Sequence, residues 1–416
     1  MNSTVNKFRL SPKALLIVLT GLNLLNYLDR YVLSAILTPL KEDLQLTDGE
    51  LGRVSTAFML GYFLISPLFG YLGDRISRKW LIAGGVFIWS LGTVLSGFAT
   101  GLGTLLVYRL LVGFGEASYG AISPALISDS FSPAKRNNAM TIFFVAIPVG
   151  SALGYILGGQ VASAHGWREA FIWAGAPGLV LALLLLPFPE PKRGESDGLH
   201  QSAHRIPAFR DVLSIFKIRE FIYIVAGYCA YAFALGAYAY WGPTFLHRIH
   251  GMPNEKAATF FGAVTVVAGL LGTLIGGFAA TALQKKFRAG YAFVLAFATL
   301  ASVPLSVVAF TSSDSAIVSA CLAIAIFLIF LPTGPINTLI IESVPINLRA
   351  SGMALSIFCI HMFGDMWSPE IVGRLADKWN SLQSALLILP TFFAIAGFIW
   401  LAYAIKVLKK PVKFLT

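Results

Sequence analysis

Long runs of apolar residues alternate with short polar segments along most of the chain. A helix needs roughly 20 such residues to cross a bilayer core about 30 Å thick, and the chain contains twelve runs of about that length. The pattern therefore predicts twelve transmembrane helices. Their approximate bounds are 14–39, 50–72, 80–99, 103–127, 138–162, 169–188, 220–245, 256–282, 290–310, 314–340, 350–373 and 382–407.

The positively charged residues of the connecting segments are distributed unequally between the two sides of the predicted bundle. Twenty-two of the 31 Lys and Arg residues fall on the same side as the N-terminus, and seven fall on the other. Short cytoplasmic loops are enriched in Lys and Arg. We therefore predict that both termini are cytoplasmic.

The longest polar segment divides the predicted helices into two sets of six. This division predicts an N-terminal bundle at 1–190, a cytoplasmic linker at 191–219 and a C-terminal bundle at 220–416. Two patterns recur in both halves at nearly constant offset. Gly70, Asp74, Arg78 and Lys79 correspond to Gly277, Thr281, Lys285 and Lys286, and Asp129, Arg136 and Met140 correspond to Glu342, Arg349 and Met353. A parallel repeat of this kind is typical of secondary transporters that bind substrate between two halves.

Composition excludes several other classes of protein. Apolar residues make up 56% of the chain and charged residues 12%, with a mean hydropathy of +0.74, whereas soluble domains contain about 25% charged residues. The net charge of +11 comes from short clusters between apolar runs, so we expect no nucleic-acid partner. The three cysteines have no ligand-like neighbours, and we expect no metal and no cofactor. Phosphate-loop and nucleophile motifs are also missing from the sequence, which argues against an enzyme.

The first and fourth predicted helices each carry two charged residues away from their ends, where an unpaired charge costs about 2.5–3.5 kcal/mol. They are Asp29, Arg30, Arg109 and Glu116. One hypothesis is that Asp29 and Glu116 bind and release a proton while Arg30, with Asn26 one turn earlier, holds an anionic substrate. The alternative is a permanent structural ion pair, for instance Asp29 with Arg109.

Two further groups of residues are candidates for the transport path. His361 and Asp365 are one helical turn apart and form either a proton relay or a simple mutual pair. Tyr231 belongs to a tyrosine stripe that either lines the path of an amphipathic substrate or only packs against neighbouring helices. Gly150, Gly154 and Gly158, at four-residue spacing, predict a close contact between helices.

The segment after the second predicted helix resembles a known signature. Gly-Tyr-Leu-Gly-Asp-Arg-Ile-Ser-Arg-Lys at 70–79 is similar to the loop motif of the major facilitator superfamily, with Ser77 in place of the usual glycine. Arg109 and the glycines of 150–159 resemble two other motifs of that superfamily, although Tyr155 stands where the antiporter motif has proline. The resemblance implies an all-α fold of two six-helix bundles. It also implies a cytoplasmic gate formed by Asp74, Arg75, Arg78 and Lys79.

Three shorter stretches narrow the resemblance. They are Asn-Tyr-Leu-Asp-Arg-Tyr-Val-Leu-Ser at 26–34, Gly-Glu-Ala-Ser-Tyr at 115–119 and Ala-Ile-Pro-Val-Gly-Ser at 146–151. Together they resemble the Spinster family, which implies a carrier of sphingolipid-type or lysophospholipid substrates. Nothing in the sequence demands more than a monomer, and we expect one. We expect alternating access coupled to protons, in the inner (plasma) membrane of a bacterium. The alternatives are an organic-anion:proton symporter, whose first motif is similar, and a lipid scramblase or channel.

Overall fold

The computed structural model describes residues 11–73, 75–188, 190, 209–345 and 348–409. All regular secondary structure in these ranges is helical. The helices are α1 (Pro12–Ala35), α2 (Leu37–Leu44), α3 (Asp48–Gly73), α4 (Arg78–Ser96), α5 (Leu102–Ser130), α6 (Pro133–His165), α7 (Trp167–Leu185), α8 (Phe209–Ser214), α9 (Arg219–His250), α10 (Asn254–Lys286), α11 (Gly290–Thr311), α12 (Ser315–Phe330), α13 (Thr333–Ser343), α14 (Arg349–Ile360), α15 (Ser368–Trp379), α16 (Leu382–Leu386) and α17 (Ile388–Lys409).

Ten helical segments in the described ranges are long and apolar enough to cross a membrane. The predicted spans at 14–39 and 350–373 are not among them. The first corresponds to α1, which carries four polar or charged residues in its second half. The second is interrupted between α14 and α15, where His361–Asp365 forms a π-helical turn. The structure thus confirms a helical membrane protein, and the count of twelve spans stays a prediction.

Gly364 explains the interruption of that span. Its backbone departs from helical geometry, with φ −122° and ψ −105°. A Cβ atom at this position would lie 2.8 Å from the carbonyl oxygen of Cys229 on α9. The missing side chain therefore lets α9 approach the distorted turn closely.

The chain divides into two compact units. The first comprises Met1–Leu40 and Ala57–His204, and the second comprises Lys41–Thr56 and Arg205–Thr416. The sequence-based division instead assigns 41–56 to the N-terminal bundle, and that division stays a prediction. Most of the predicted linker, 191–208, lies outside the described residues, and its last part forms α8 and a short 3-10 turn at Ile215–Lys217.

Within the first unit, α1 packs along α6 through the glycines of α6. A Cβ atom at Gly150 would lie 2.4 Å from the Leu24 carbonyl oxygen, and one at Gly154 would lie 2.4 Å from that of Leu28. The predicted close contact at this glycine stripe is therefore confirmed. Because α1 also carries Asp29 and Arg30, this contact helps to position their backbone.

Within the second unit, α9, α11 and α17 form the central packing. Large aromatic side chains fill it, and Trp241, Phe310, Phe393 and Trp400 are all buried. The first turns of α3 also belong to this unit.

Candidate functional site

Helices α1, α4 and α5 of the first unit bring together the charged residues singled out in the sequence. Asp29 and Arg109 are each 1% exposed, and Glu116 is fully buried. Burial of this kind requires each charge to be paired or hydrogen-bonded. The side chains satisfy the requirement as two separate ion pairs.

The first pair joins α1 to α5. Arg109 Nη1 donates to Asp29 Oδ1, with 3.1 Å between the two atoms. The Thr93 hydroxyl on α4 donates to Asp29 Oδ2 at 2.5 Å. Both carboxylate oxygens of Asp29 are thus engaged. This arrangement matches the structural alternative considered for Asp29 and Arg109.

The second pair uses the neighbouring residue of α1. Arg30 Nε donates to Glu116 Oε2 at 2.8 Å, and 23% of the Arg30 side chain is exposed. Asp29 and Arg30 are adjacent and point about 100° apart around a helix. That rotation is why they meet different partners on α5.

Three aromatic rings surround the Arg30 guanidinium. Its central carbon lies 5.2 Å from the ring centre of Tyr27, and 5.1 Å from those of Phe58 and Tyr62. Rings at this distance stabilise a cation through their negative faces. Arg30 is thus held in a defined place and is also the most exposed of the four charged side chains.

Glu116 keeps one carboxyl oxygen unused. Its Oε1 is buried and has no hydrogen-bond partner among the described residues, although Oε2 binds Arg30. A proton on Oε1 would leave the Oε2 contact in place. Asn26, the other candidate substrate-binding residue of α1, is 4% exposed.

The remaining candidates of the central membrane region lie in the second unit. Tyr231 is 4% exposed, its hydroxyl donates to the Ile329 carbonyl oxygen, and its ring packs against Phe393 and Trp400. This geometry favours the packing alternative, and its substrate-binding role stays a prediction. His361 Nδ1 lies 2.8 Å from Asp365 Oδ1, so the structure brings this predicted pair together in the π-helical turn.

The loop after α3 and the start of α4 carry the residues for which the resemblance predicts a cytoplasmic gate. Asp74 lies outside the described residues. Arg75 is exposed and stacks on the Tyr71 ring, whereas Lys79 donates to the Leu186 carbonyl oxygen at 2.8 Å. The gating role of these residues stays a prediction.

Arg78 is buried and binds two carboxylates of the first unit. Its Nη1 lies 2.5 Å from Asp129 Oδ2, and its Nε lies 3.2 Å from Glu190 Oε1. Partial burial acts to raise the pKa of Glu190. Hydrogen bonds from the Ser77 hydroxyl and from the backbone and side chain of Arg78 outweigh that effect and lower the pKa.

Sequence reasoning missed a second charged cluster, which joins the start of α3 to α9 and α15. Asp48 Oδ1 accepts from Lys41 and from Arg248, each at 2.7 Å. The Asp377 carboxylate accepts from the backbone N–H groups of Asp48 at 2.8 Å and Gly49 at 2.7 Å. Asp377 therefore satisfies two of the free donors at the beginning of α3.

Helices α3 and α15 are also linked further along α3. Glu370 on α15 accepts from Arg53 at 3.2 Å and is paired with Arg374 of its own helix. Glycine at position 52 permits the approach, because a Cβ atom there would lie 2.4 Å from the backbone of Glu370. Acidic residues at the first turn of α3 were the available sequence signal, but their partners are about 200 to 330 positions away.

Comparison with known proteins places the chain among membrane transporters. A sequence model of the Major Facilitator Superfamily matches residues 19–369. The fold resembles the crystal structure of a bacterial homologue of the human lysosomal transporter Spinster, in an inward-facing and unoccupied conformation. The TM-score is 0.87 at 22% identity, covering 99% of this chain and 100% of the other.

Curated relatives are similar over most of this chain. Protein spinster of Drosophila melanogaster is 35% identical over 370 residues, which cover 86% of this chain and 61% of the fly protein. The sphingosine-1-phosphate transporter SPNS2 of Danio rerio is 33% identical over 416 residues, covering 92% of this chain and 82% of its own length. The chain therefore belongs to the Spinster family of the major facilitator superfamily, whose members are transporters and not enzymes.

Proposed function

We propose that the protein is a secondary transporter of amphipathic lipids with an anionic or zwitterionic head group, coupled to protons. The observation that carries the proposal is the Arg30–Glu116 pair, in which a partly exposed cation is bound to a buried carboxylate. The name of the SPNS2 relatives, sphingosine-1-phosphate transporter, supports a lipid with a phosphate head group.

Arg30 is the binding group of this proposal. Its guanidinium offers several N–H donors in a planar fork, which suits a phosphate or carboxylate oxygen. The three surrounding rings hold it in place and supply apolar surface for the adjoining part of an amphipathic substrate. Asn26 lies one turn away and would add a neutral hydrogen-bonding group.

Glu116 is the proton-binding group. When an anionic head group binds Arg30 in place of Glu116, Glu116 would be left as a buried carboxylate without its cation. Leaving such a charge unpaired costs about 3–5 kcal/mol. A proton on the unused Oε1 removes that cost. Substrate and proton would therefore be bound together, and both would be carried in one direction.

Asp29 has a structural role in this mechanism. Its two oxygens are already engaged by Arg109 and Thr93. We propose that this pair holds α1, α4 and α5 in register while Glu116 gains and loses its proton. Asp29 stays a candidate for a second proton site, as do His361 and Asp365.

The test is uptake of a labelled lysophospholipid into proteoliposomes, with and without an imposed pH gradient. Wild type should respond to the gradient, and Glu116→Gln should transport without that response. Arg30→Gln should lose substrate binding, while the exposed controls Glu42→Gln and Arg219→Gln should behave as wild type. Gradient-driven transport by Glu116→Gln would refute the proton role.

The same assay separates the alternatives. An organic-anion symporter should accumulate a short-chain anion and ignore the lysophospholipid. A scramblase or channel should move lipid equally in wild type and in Glu116→Gln.

We also propose that the chain crosses the inner membrane of a bacterium twelve times, with both termini cytoplasmic. Fluorescent and phosphatase reporters fused to the C-terminus in a bacterial host test this topology.

A further inference from the structure

An open cavity of about 550 Å³ lies in the first unit between the beginning of α1, the end of α5 and the beginning of α6. Its walls are mostly aliphatic and aromatic, from Leu16 and Ile17 on α1, Phe131 after α5 and Ile142 on α6. Ile17 is 72% exposed and Ile142 53% exposed, so the apolar surface continues out of the cavity. A volume and lining of this kind fit a hydrocarbon chain.

Two lysines line this cavity. Lys13 begins α1 and Lys135 begins α6, and both side chains are exposed. Neither forms an ion pair with another described residue. Both also belong to the segments for which the distribution of Lys and Arg predicts a cytoplasmic position. Two positive charges that have no ion-pair partner among the described residues, beside an apolar groove, favour a ligand with a negative head and an apolar tail.

A third polar group lies deeper in the cavity. Thr20 is two helical turns from Lys13, about 10 Å along the axis of α1. Its hydroxyl oxygen is buried and has no hydrogen-bond partner among the described residues. A buried hydroxyl without a partner destabilises the folded protein. An ester or hydroxyl oxygen of a bound lipid would supply the missing contact.

We propose that this groove binds an acidic phospholipid of the surrounding bilayer, with its phosphate at Lys13 and Lys135, one acyl chain along the groove and an ester oxygen at Thr20. The groove is separate from the Arg30–Glu116 site. Thr20 and Arg30 are ten residues apart, which is about 15 Å along α1. The lipid is a bound stabilising partner in this proposal and not the transported substrate, so the proposal does not depend on the transport function.

The experiment measures thermal unfolding of the detergent-purified full chain with added phosphatidylglycerol. Phosphatidylcholine with the same acyl chains and inorganic phosphate serve as comparison additives. A ligand that binds only the folded state raises the unfolding temperature. Wild type should shift upward by several degrees with phosphatidylglycerol and much less with the other two. The double variant Lys13→Gln/Lys135→Gln should lose at least half of that shift.

Two further variants separate the groove from general charge attraction. Lys285→Gln/Lys286→Gln removes two exposed lysines at the end of α10, far from the groove along the chain, and should keep the full shift. Ala139→Phe fills the groove with both lysines intact and should lose the shift. An equal response of wild type and Lys13→Gln/Lys135→Gln overturns the proposal. So does a shift reproduced by inorganic phosphate, or no shift in wild type.

Discussion

Replacing Asp29 by asparagine should destabilise the protein far more than replacing Glu116 by glutamine. Asp29→Asn removes the charge that neutralises Arg109, which is 1% exposed and cannot reach water. Breaking a buried pair by removing one partner costs about 3–5 kcal/mol. At about 2–4 °C per kcal/mol for a unit of this size, the unfolding temperature should fall by about 6–20 °C.

The cost of Glu116→Gln should be much smaller. Arg30 is 23% exposed and is surrounded by three aromatic rings. It can therefore stay charged without the carboxylate, because water and the ring faces stabilise it. We expect a loss of about 1–2 kcal/mol, as for a hydrogen bond to a charged group.

A double-mutant cycle checks this reasoning by thermal unfolding in detergent. Asp29→Asn/Arg109→Gln removes both charges of the buried pair, so it should be more stable than the sum of the two single changes predicts. Glu42→Gln, at an exposed position of α2, is the control for loss of a carboxylate. The reasoning is refuted if Asp29→Asn unfolds within 2–3 °C of Glu116→Gln, a shift of roughly 1 kcal/mol, or if the effects of the two single changes simply add.

Three further outcomes are expected from unfolding measurements. Gly154→Ala should destabilise α1–α6 packing by about 1–3 kcal/mol, because its Cβ would lie 2.4 Å from a backbone oxygen; Gly84→Ala, with open space around it, should not. Glu190 has a lowered pKa, so its contribution is present above the ordinary value of 4.5 and is lost as the pH falls through the folded value. The stability difference between wild type and Glu190→Gln should therefore shrink as the pH falls below 4.5. A difference that does not change with pH contradicts the assignment. Asp377→Ala should cost about 1–2 kcal/mol, because it removes the acceptor of two N–H groups at the start of α3, whereas Asp377→Asn should cost less; equal losses would contradict a capping role.

The class of protein could be predicted from the sequence because it depends on local properties. Apolar runs of bilayer length cannot remain in water, and ten helical segments among the described residues meet that requirement. The four-residue spacing of the α6 glycines also predicts a close contact by itself, since it places all of them on one helix face. The stretches at 26–34, 115–119 and 146–151 together indicate the family.

The pairing of the charged residues was decided only by the tertiary structure. Spacing along α1 and α5 showed that Asp29 and Arg30 point in different directions, but not which one meets Arg109 and which meets Glu116. That choice depends on the relative rotation and height of two helices about 80 residues apart.

The hydrogen bonds that residues at the helix ends form with distant parts of the chain were also decided by the tertiary structure. Nothing near Arg78 in the sequence indicates Glu190, which is 112 positions away. The attachment of Asp48 to Asp377 spans 329 positions. Local sequence determines which segments become helices, because hydrogen bonding and hydrophobic burial act within each segment. Helix packing alone determines which polar groups become neighbours, and therefore which of them can bind a substrate or a proton.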